Sequence, residues 1–419
     1  MEKHLIVIGG GAAGFFCAVN AARMDQSLKV TIVEKSNKLL SKVRISGGGR
    51  CNVTHACFDI VEMSKRYPRG QHFVKKAFHQ FFTTDTISWF EEKGVKLKTE
   101  VDGRMFPVSD SSQTIIDCLL KEANRYGLEI LMNKEVVEIN IQPEGFNIQY
   151  AGGESVDADY LCVATGGYPK SSMFDWLKDT GHSIEEPVPS LFTFNLPNHP
   201  ITKLMGVSVG NSNIKIPNLP AGRQGSRLEE EGPLLITHWG LSGPAVLRLS
   251  AWGARELKIM NYELKIIINW LPEFNEEILR KRLQALRIEN ASQKILNKNQ
   301  FGLPSRLWEF LAKNAGIKND WRWADLPAAE QNKFINNLCK YECEVKGKTT
   351  FKEEFVTAGG IKLNEVDANT MMSKKVPNLF FAGEVLDVDG ITGGFNFQHA
   401  WTSGFVAAKA ISSNVKDET

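Results

Sequence analysis

Residues 5–16, LIVIGGGAAGFF, constrain the fold of this chain more than any other stretch. A short apolar run, Leu5 to Ile8, enters a turn with Gly9, Gly11 and Gly14 in G-x-G-x-x-G spacing, and a helical pattern follows at once. A second apolar run, LKVTIVE, ends in Glu34, twenty residues after Gly14. Strand, glycine turn, helix and acidic strand end in this order predict a βαβ unit that binds a dinucleotide. Gly9 allows the tight turn, Gly11 lets the backbone approach a pyrophosphate, and Gly14 permits close helix–strand packing. Ala12 and Ala13 start the helix whose N–H groups and dipole face the phosphates. Glu34 is placed to accept from ribose hydroxyls and would repel a 2′-phosphate.

The rest of the chain is too long for one small core. At 419 residues two or three domains are expected. Successive strands are predicted over 128–164, with a turn at Pro143, Glu144 and Gly145 pairing the middle two. Short alternating strands fill much of 189–270, and the Gly-rich, charged 218–232 segment reads as an exposed loop. Residues 272–340 are helical and polar, and strand-like runs resume after 350. Gly393 and Gly394 then open a last helix to about Ser412. The expected fold class is α/β. A Rossmann-like nucleotide domain (1–188 and 351–419) carries an inserted β-rich, barrel-like domain (189–271 and 341–350) and a small helical domain (272–340).

Lys and Arg total 50 against 48 acids, so neither a membrane surface nor a nucleic acid is expected as a partner. The start MEKHLIVIGG runs directly into the first strand, which leaves no room for a signal peptide. The longest uncharged apolar run, IIINWL, is far short of a membrane span. Seven cysteines without a C-x-x-C pair fit reduced thiols in a cytoplasmic protein, and no metal site is expected. The sequence leaves the oligomeric state open.

Four glycine-bearing segments need one explanation: GGGAAG (9–14), SGGGRCN (46–52), ATGG (164–167) and FAGEVLDVDGITGGFNFQ (381–398). Together with THWGLSGP (237–244) and TAGGI (357–361), this ordered set resembles the aminoacetone oxidase-like and bile-acid reductase-like family of NAD(P)/FAD-dependent oxidoreductases. The resemblance covers nearly the whole chain. More distantly, TAGGI followed by NLFFAGE is similar to fumarate-reductase-type flavoproteins. It implies non-covalent FAD, a small organic substrate, and NAD(P)H or O₂ as the other redox partner. A ketosteroid-dehydrogenase-like enzyme and a non-catalytic or RNA-associated flavoprotein stay open as alternatives.

An independent argument also favours FAD. A buried isoalloxazine ring needs close backbone approach along its length, and glycine turns in distant segments supply it. The Gly394-Phe395-Asn396 helix start, with Gly393 before it, would then stabilise negative charge on the reduced ring. No second G-x-G-x-x-G follows residue 14, so no dedicated nicotinamide domain is visible.

The resemblance places further FAD contacts at Lys35, Lys42, Ser46, Gly47, Gly48, Arg50, Cys51 and Asn52. A cationic contact from Lys42, Arg44 or Arg50 is expected, and Cys51 reads as a small packing residue or a flavin-facing thiol. Val137 would pass the adenine, while Thr165 and Gly166 would close a turn beside the pyrophosphate. Gly383, Glu384 and Asp387 would meet ribityl or phosphate oxygens. His238 is the acid–base candidate, because histidine titrates near neutral pH, with Tyr168, His399 and Trp401 as further candidates.

Overall fold

The computed structural model describes residues 2–217, 228–297, 299–350 and 356–418. The chain divides into two compact units, 1–190 with 352–419, and 191–351.

The first unit is built on five parallel strands. In spatial order they are Leu379–Phe381, Tyr160–Val163, His4–Ile8, Lys29–Glu34 and Glu129–Met132. Numbered along the chain this is 5-4-1-2-3, the Rossmann order read from its far edge. Residues buried on both faces explain the unbroken apolar runs: Leu5, Ile6 and Val7 are inaccessible, as are Leu161, Cys162 and Val163. Strand order reverses between His4–Ile8 and Tyr160–Val163, and a ligand crevice is expected at the carboxyl ends there. The predicted hairpin also forms, Val136–Gln142 against Gly145–Tyr150, with Ser155–Ala158 as its third strand.

The chain returns to this unit through the long C-terminal helix, Phe395–Glu418, which packs on the first helix, Ala12–Met24. The crossing is close because residue 404 is glycine. A Cβ there would stand 2.7 Å from the Ala13 carbonyl oxygen. Ser412 is therefore inside the final helix, not its end. Residues 41–49 begin as a helical turn that unwinds at Ser46, Gly47 and Gly48.

The second unit holds a seven-stranded, largely antiparallel sheet. Its order is Tyr341–Lys346, Glu263–Asn269, Ser208–Ile216, Leu228–Ile236, Gly240–Ser242, Thr193–Asn195 and Lys348–Thr349. Helices Glu276–Glu289, Ser305–Asn314 and Ala328–Cys339 lie in the segment expected to be a separate helical domain. Leu283, Trp308 and Phe334 from these helices join Ile214, Leu234 and Ile266 from the strands in one buried apolar cluster. Of the expected 218–232 loop, residues 228–232 are strand and 218–227 lie outside the described residues.

Candidate functional site

The glycine turn sits at the reversal of strand order, and its glycines fall into two kinds. Gly9, at φ +116°, and Gly14 are demanded by the fold itself. A Cβ on Gly9 would lie 2.4 Å from the Ala164 carbonyl oxygen, and one on Gly14 2.0 Å from that of Gly9. Gly11 differs: its backbone is extended and a Cβ there would meet nothing within 4 Å. Gly48 and Gly166 also face open space, both with positive φ. The positive φ alone calls for glycine at 48 and 166, whereas neither packing nor backbone conformation explains Gly11. A cofactor passing along the bare backbone at the N-terminus of the first helix does, so the cradle fits a dinucleotide.

Glu34 stands at the edge of this cradle. One carboxylate oxygen accepts from Gly10 N–H at 2.9 Å; the other accepts from Ser36 N–H at 2.9 Å and Ser36 Oγ at 2.8 Å. A carboxylate has about four acceptor positions, so one stays available to a ribose hydroxyl. Lys35 extends over the Tyr168 ring, 5.4 Å from its centroid.

The four glycine segments converge in this unit. Lys42 reaches across 342 positions to Glu384, Nζ to Oε2 at 2.6 Å, while Glu384 Oε1 accepts from Thr357 N–H at 2.8 Å. Gly167 fits against the same group, because a Cβ there would lie 2.7 Å from Thr357 and 2.9 Å from Glu384. The Thr357 hydroxyl is buried without a partner, an orphaned polar atom beside this cluster. A phosphate or ribityl hydroxyl reaching Lys42 or Glu384 must therefore compete with their mutual ion pair. Thr165 turns its hydroxyl to the neighbouring Gly166 carbonyl at 3.2 Å. Gly383 is pressed against Ala13, and its N–H donates to Ser403 Oγ at 2.8 Å.

The start of the C-terminal helix is braced from several sides. A Cβ on Gly394 would strike the Thr54 backbone at 2.6 Å, so this glycine is required by packing. With the Asn52 amide oriented to satisfy its neighbours, its oxygen accepts from Gly394 N–H at 2.9 Å. That N–H is engaged inside the protein, which moves the expected role one residue on. Phe395, Asn396 and Phe397 begin the first turn, whose N–H groups have no intrahelical acceptor. The Asn396 side chain brackets Gly390, accepting from its N–H at 2.8 Å and donating to its carbonyl at 2.9 Å. Tyr67 donates to the Phe395 carbonyl at 2.7 Å.

His55, three residues after the SGGGRCN segment, carries no motif of its own in the sequence. Its Nδ1 lies 3.0 Å from the Gly393 carbonyl, and its ring stacks on Phe395 with centroids 4.8 Å apart. The carbonyl can only accept, so Nδ1 carries the proton. Burial holds its pKa below the usual histidine range.

The remaining candidates are placed differently. Cys51 is fully buried at φ +61°, and burial pushes its thiol up to about 12, which removes any thiolate at neutral pH. Arg50 stacks on Phe106 at 4.0 Å and pairs with Glu100 at 2.6 Å; Arg44 donates to Gln113 at 2.8 Å. Ser46 Oγ donates to the Val43 carbonyl at 3.1 Å, and a Cβ on Gly47 would strike the Phe106 ring. Val137 is exposed on its hairpin strand, and Asp387 is half-buried. His399 Nε2 lies 3.2 Å from the Gly383 carbonyl, while Nδ1 is buried without a partner; burial pushes this residue down to about 4. Trp401 is buried and donates to the Val53 carbonyl at 2.9 Å. His238 belongs to the second unit, exposed in a turn with its ring edge-on to Trp239.

Residues 3–410 match the family described as HI0933-like protein Rossmann domain. The chain belongs to that family. It is an FAD-dependent oxidoreductase. The chain is similar to a ribosomal RNA dihydrouridine synthase of Escherichia coli strain K12, 31% identical over 98% of both chains. A protein of the same name from Haemophilus influenzae is 30% identical over 97% of this chain and 98% of its own. It is also similar to 3-dehydro-bile acid delta(4,6)-reductase of Clostridium scindens, 28% identical over 96% of this chain and 98% of that relative. Among solved structures, a flavocytochrome c3 fumarate reductase superposes with a TM-score of 0.51 at 16% identity, covering 98% of this chain and 78% of that one. A 3-ketosteroid delta1-dehydrogenase from Sterolibacterium denitrificans gives 0.50 at 12% identity, covering 98% and 99%. These two likenesses establish a shared fold. No helix among the described residues is long and apolar enough to cross a membrane.

Proposed function

We propose that this HI0933-like protein reduces a carbon–carbon double bond conjugated to a carbonyl, using non-covalent FAD and NAD(P)H as the reductant. The observation that carries the reading is the bare backbone at Gly11, on the turn where strand order reverses. When bound, FAD supplies the hydride carrier. The first helix would hold the pyrophosphate with its N–H groups, and Glu34 would accept from the ribose. The N–H groups at Phe395 to Phe397 would stabilise negative charge that develops on reduction beside them.

The substrate class follows from what the relatives share. Making dihydrouridine saturates a uracil double bond conjugated to a carbonyl, and a delta(4,6)-reductase saturates bonds conjugated in the same sense. In both, a hydride adds to the carbon remote from the carbonyl and a proton to the carbon beside it. The two dihydrouridine synthase relatives, at 31% and 30% identity, favour a uracil base carried in RNA. An enone of steroid type is the second reading, favoured by the bile-acid reductase relative.

The test is anaerobic. Protein-bound flavin is reduced with NADH or NADPH, then mixed with uridine-containing RNA or with a steroid dienone. Reoxidation at the flavin band, with dihydrouridine or a saturated ketone as product, is the expected result. Flavin that stays reduced with both acceptors would refute the reading.

A further inference from the structure

The near-neutral net charge of the whole chain conceals an uneven distribution. Residues 272–340 hold twelve Lys or Arg against eight Asp or Glu, so this segment alone carries more net positive charge than the entire protein. The structure collects part of that excess on one face. Residues 293–295 run antiparallel to 321–323: Lys294 pairs with Arg322 as an isolated bridge, and Ile295 N–H donates to the Trp321 carbonyl at 3.1 Å. Directly opposed residues of an antiparallel pair project to the same side. Ile295 and Trp323, the next residues along each segment, are fully buried, whereas Lys294 and Arg322 are exposed. Two cations therefore stand opposite each other on the outer side.

A third cation joins them. Arg287, near the end of helix Glu276–Glu289, extends its guanidinium to the Ala324 carbonyl at 3.4 Å, two residues from Arg322. Of the nearby acids, one is held by the Arg322 backbone itself and the other by a cation outside this group. Asp325 accepts from the Arg322 backbone N–H at 3.2 Å, and Glu289 pairs with Arg282 at 2.9 Å. Among the described residues, Arg287, Lys294 and Arg322 take part in no ion pair. Like charges directly opposite in a ladder are destabilising. With three cations against the single Asp325 carboxylate, and none of the three in an ion pair, the arrangement is the electrostatic complement of a polyanion whose charges are spaced along a backbone.

We infer that the face formed by Arg287, Lys294 and Arg322 is a surface that binds the phosphate backbone of RNA. The inference rests on the uracil-in-RNA reading above and adds to it where the strand is held. These side chains fix the RNA without reading its sequence, so their contribution falls with salt.

The experiment uses the full-length holoenzyme and a fluorescein-labelled, uridine-rich single-stranded RNA, with affinity followed by anisotropy across a salt series. The variants are R287A/K294A/R322A and the milder K294Q/R322Q, each checked for an unchanged flavin spectrum and melting temperature. The triple variant should bind at least tenfold more weakly at 100 mM salt. Its log–log salt dependence should be shallower by about 2, since each single-strand phosphate contact contributes roughly 0.7. The double variant should lie between it and the wild type. Variants that bind like the wild type with the same slope would overturn the surface while leaving the RNA reading intact. A wild-type protein that binds no RNA would overturn both, while flavin reoxidation by an enone would still be measured independently. Equal competition by polyglutamate would point to acidic proteins and overturn RNA as the partner.

Discussion

Gly11→Ala separates the cradle from the fold that builds it. The backbone at Gly11 is extended, φ −94° and ψ −171°, which alanine adopts without strain. Nothing lies within 4 Å of a Cβ at this position, so the apoprotein has no clash to relieve. Gly11 is also the N-cap of the first helix, where alanine is poorer than glycine, a cost of about 1 kcal/mol at most. Loss of a flexible glycine from the unfolded chain offsets roughly 0.4–1 kcal/mol of that. Apoprotein stability should therefore change by less than about 1 kcal/mol. In the holoprotein the methyl group would occupy space over which the pyrophosphate must pass. Displacing it from two helix N–H groups forfeits two charge-assisted hydrogen bonds, on the order of 1.5–3 kcal/mol each. FAD affinity should fall by roughly two to four decades. The assay is FAD titration by fluorescence quenching, with denaturant melts of both apoproteins. Gly14→Ala is the control with the opposite pattern: its Cβ falls 2.0 Å from the Gly9 carbonyl oxygen, so the fold itself should weaken. A Gly11→Ala protein that binds FAD within threefold of the wild type would refute the placement of the pyrophosphate over this turn.

Four further outcomes follow from the same geometry. Glu34→Ala should weaken FAD binding by one to two decades, because it removes the ribose acceptor and releases Gly10 N–H; an unchanged dissociation constant with normal circular dichroism would exclude Glu34 as ligand. Gly394→Val should lower the flavin reduction potential and also destabilise the apoprotein, since a Cβ meets the Thr54 backbone at 2.6 Å; a stable variant with an unchanged or raised potential would separate this helix from the flavin. Burial pushes His182 and His399 down to about 4. Their stabilising contribution is full above about pH 6.5 and is lost as pH falls toward 4, because only the unfolded chain readily takes up the protons. Each should make the protein roughly 2 kcal/mol less stable at pH 5 than at pH 7, and denaturant melts of His182→Asn should show a flatter pH profile; an unchanged profile would refute the assignment. Cys51, pushed up to about 12, should resist iodoacetamide at pH 8 in the folded protein, and labelling there by mass spectrometry would contradict its burial.

Sequence alone determined what depends on local backbone demand and on period. The G-x-G-x-x-G turn, the apolar runs buried on both faces and the hairpin around Gly145 were legible because short stretches impose them. The return of the C-terminal helix to the nucleotide unit was legible in outline. Its reason, the close contact of Gly404 with the first helix, was not. Tertiary structure alone decided the pairings. Lys42 with Glu384, Asn52 with Gly394 and His55 with Gly393 join residues more than three hundred positions apart, and no spacing rule reaches that far. It also decided which glycines serve the fold and which face open space, because only the neighbouring chain shows what a Cβ would meet. Periodicity marks the apolar face of each 272–340 helix but not its partner, so their shared core with the strands emerged only in three dimensions. The same limit applies to charge: composition sums over the whole chain, whereas a binding face depends on which cations the fold leaves side by side.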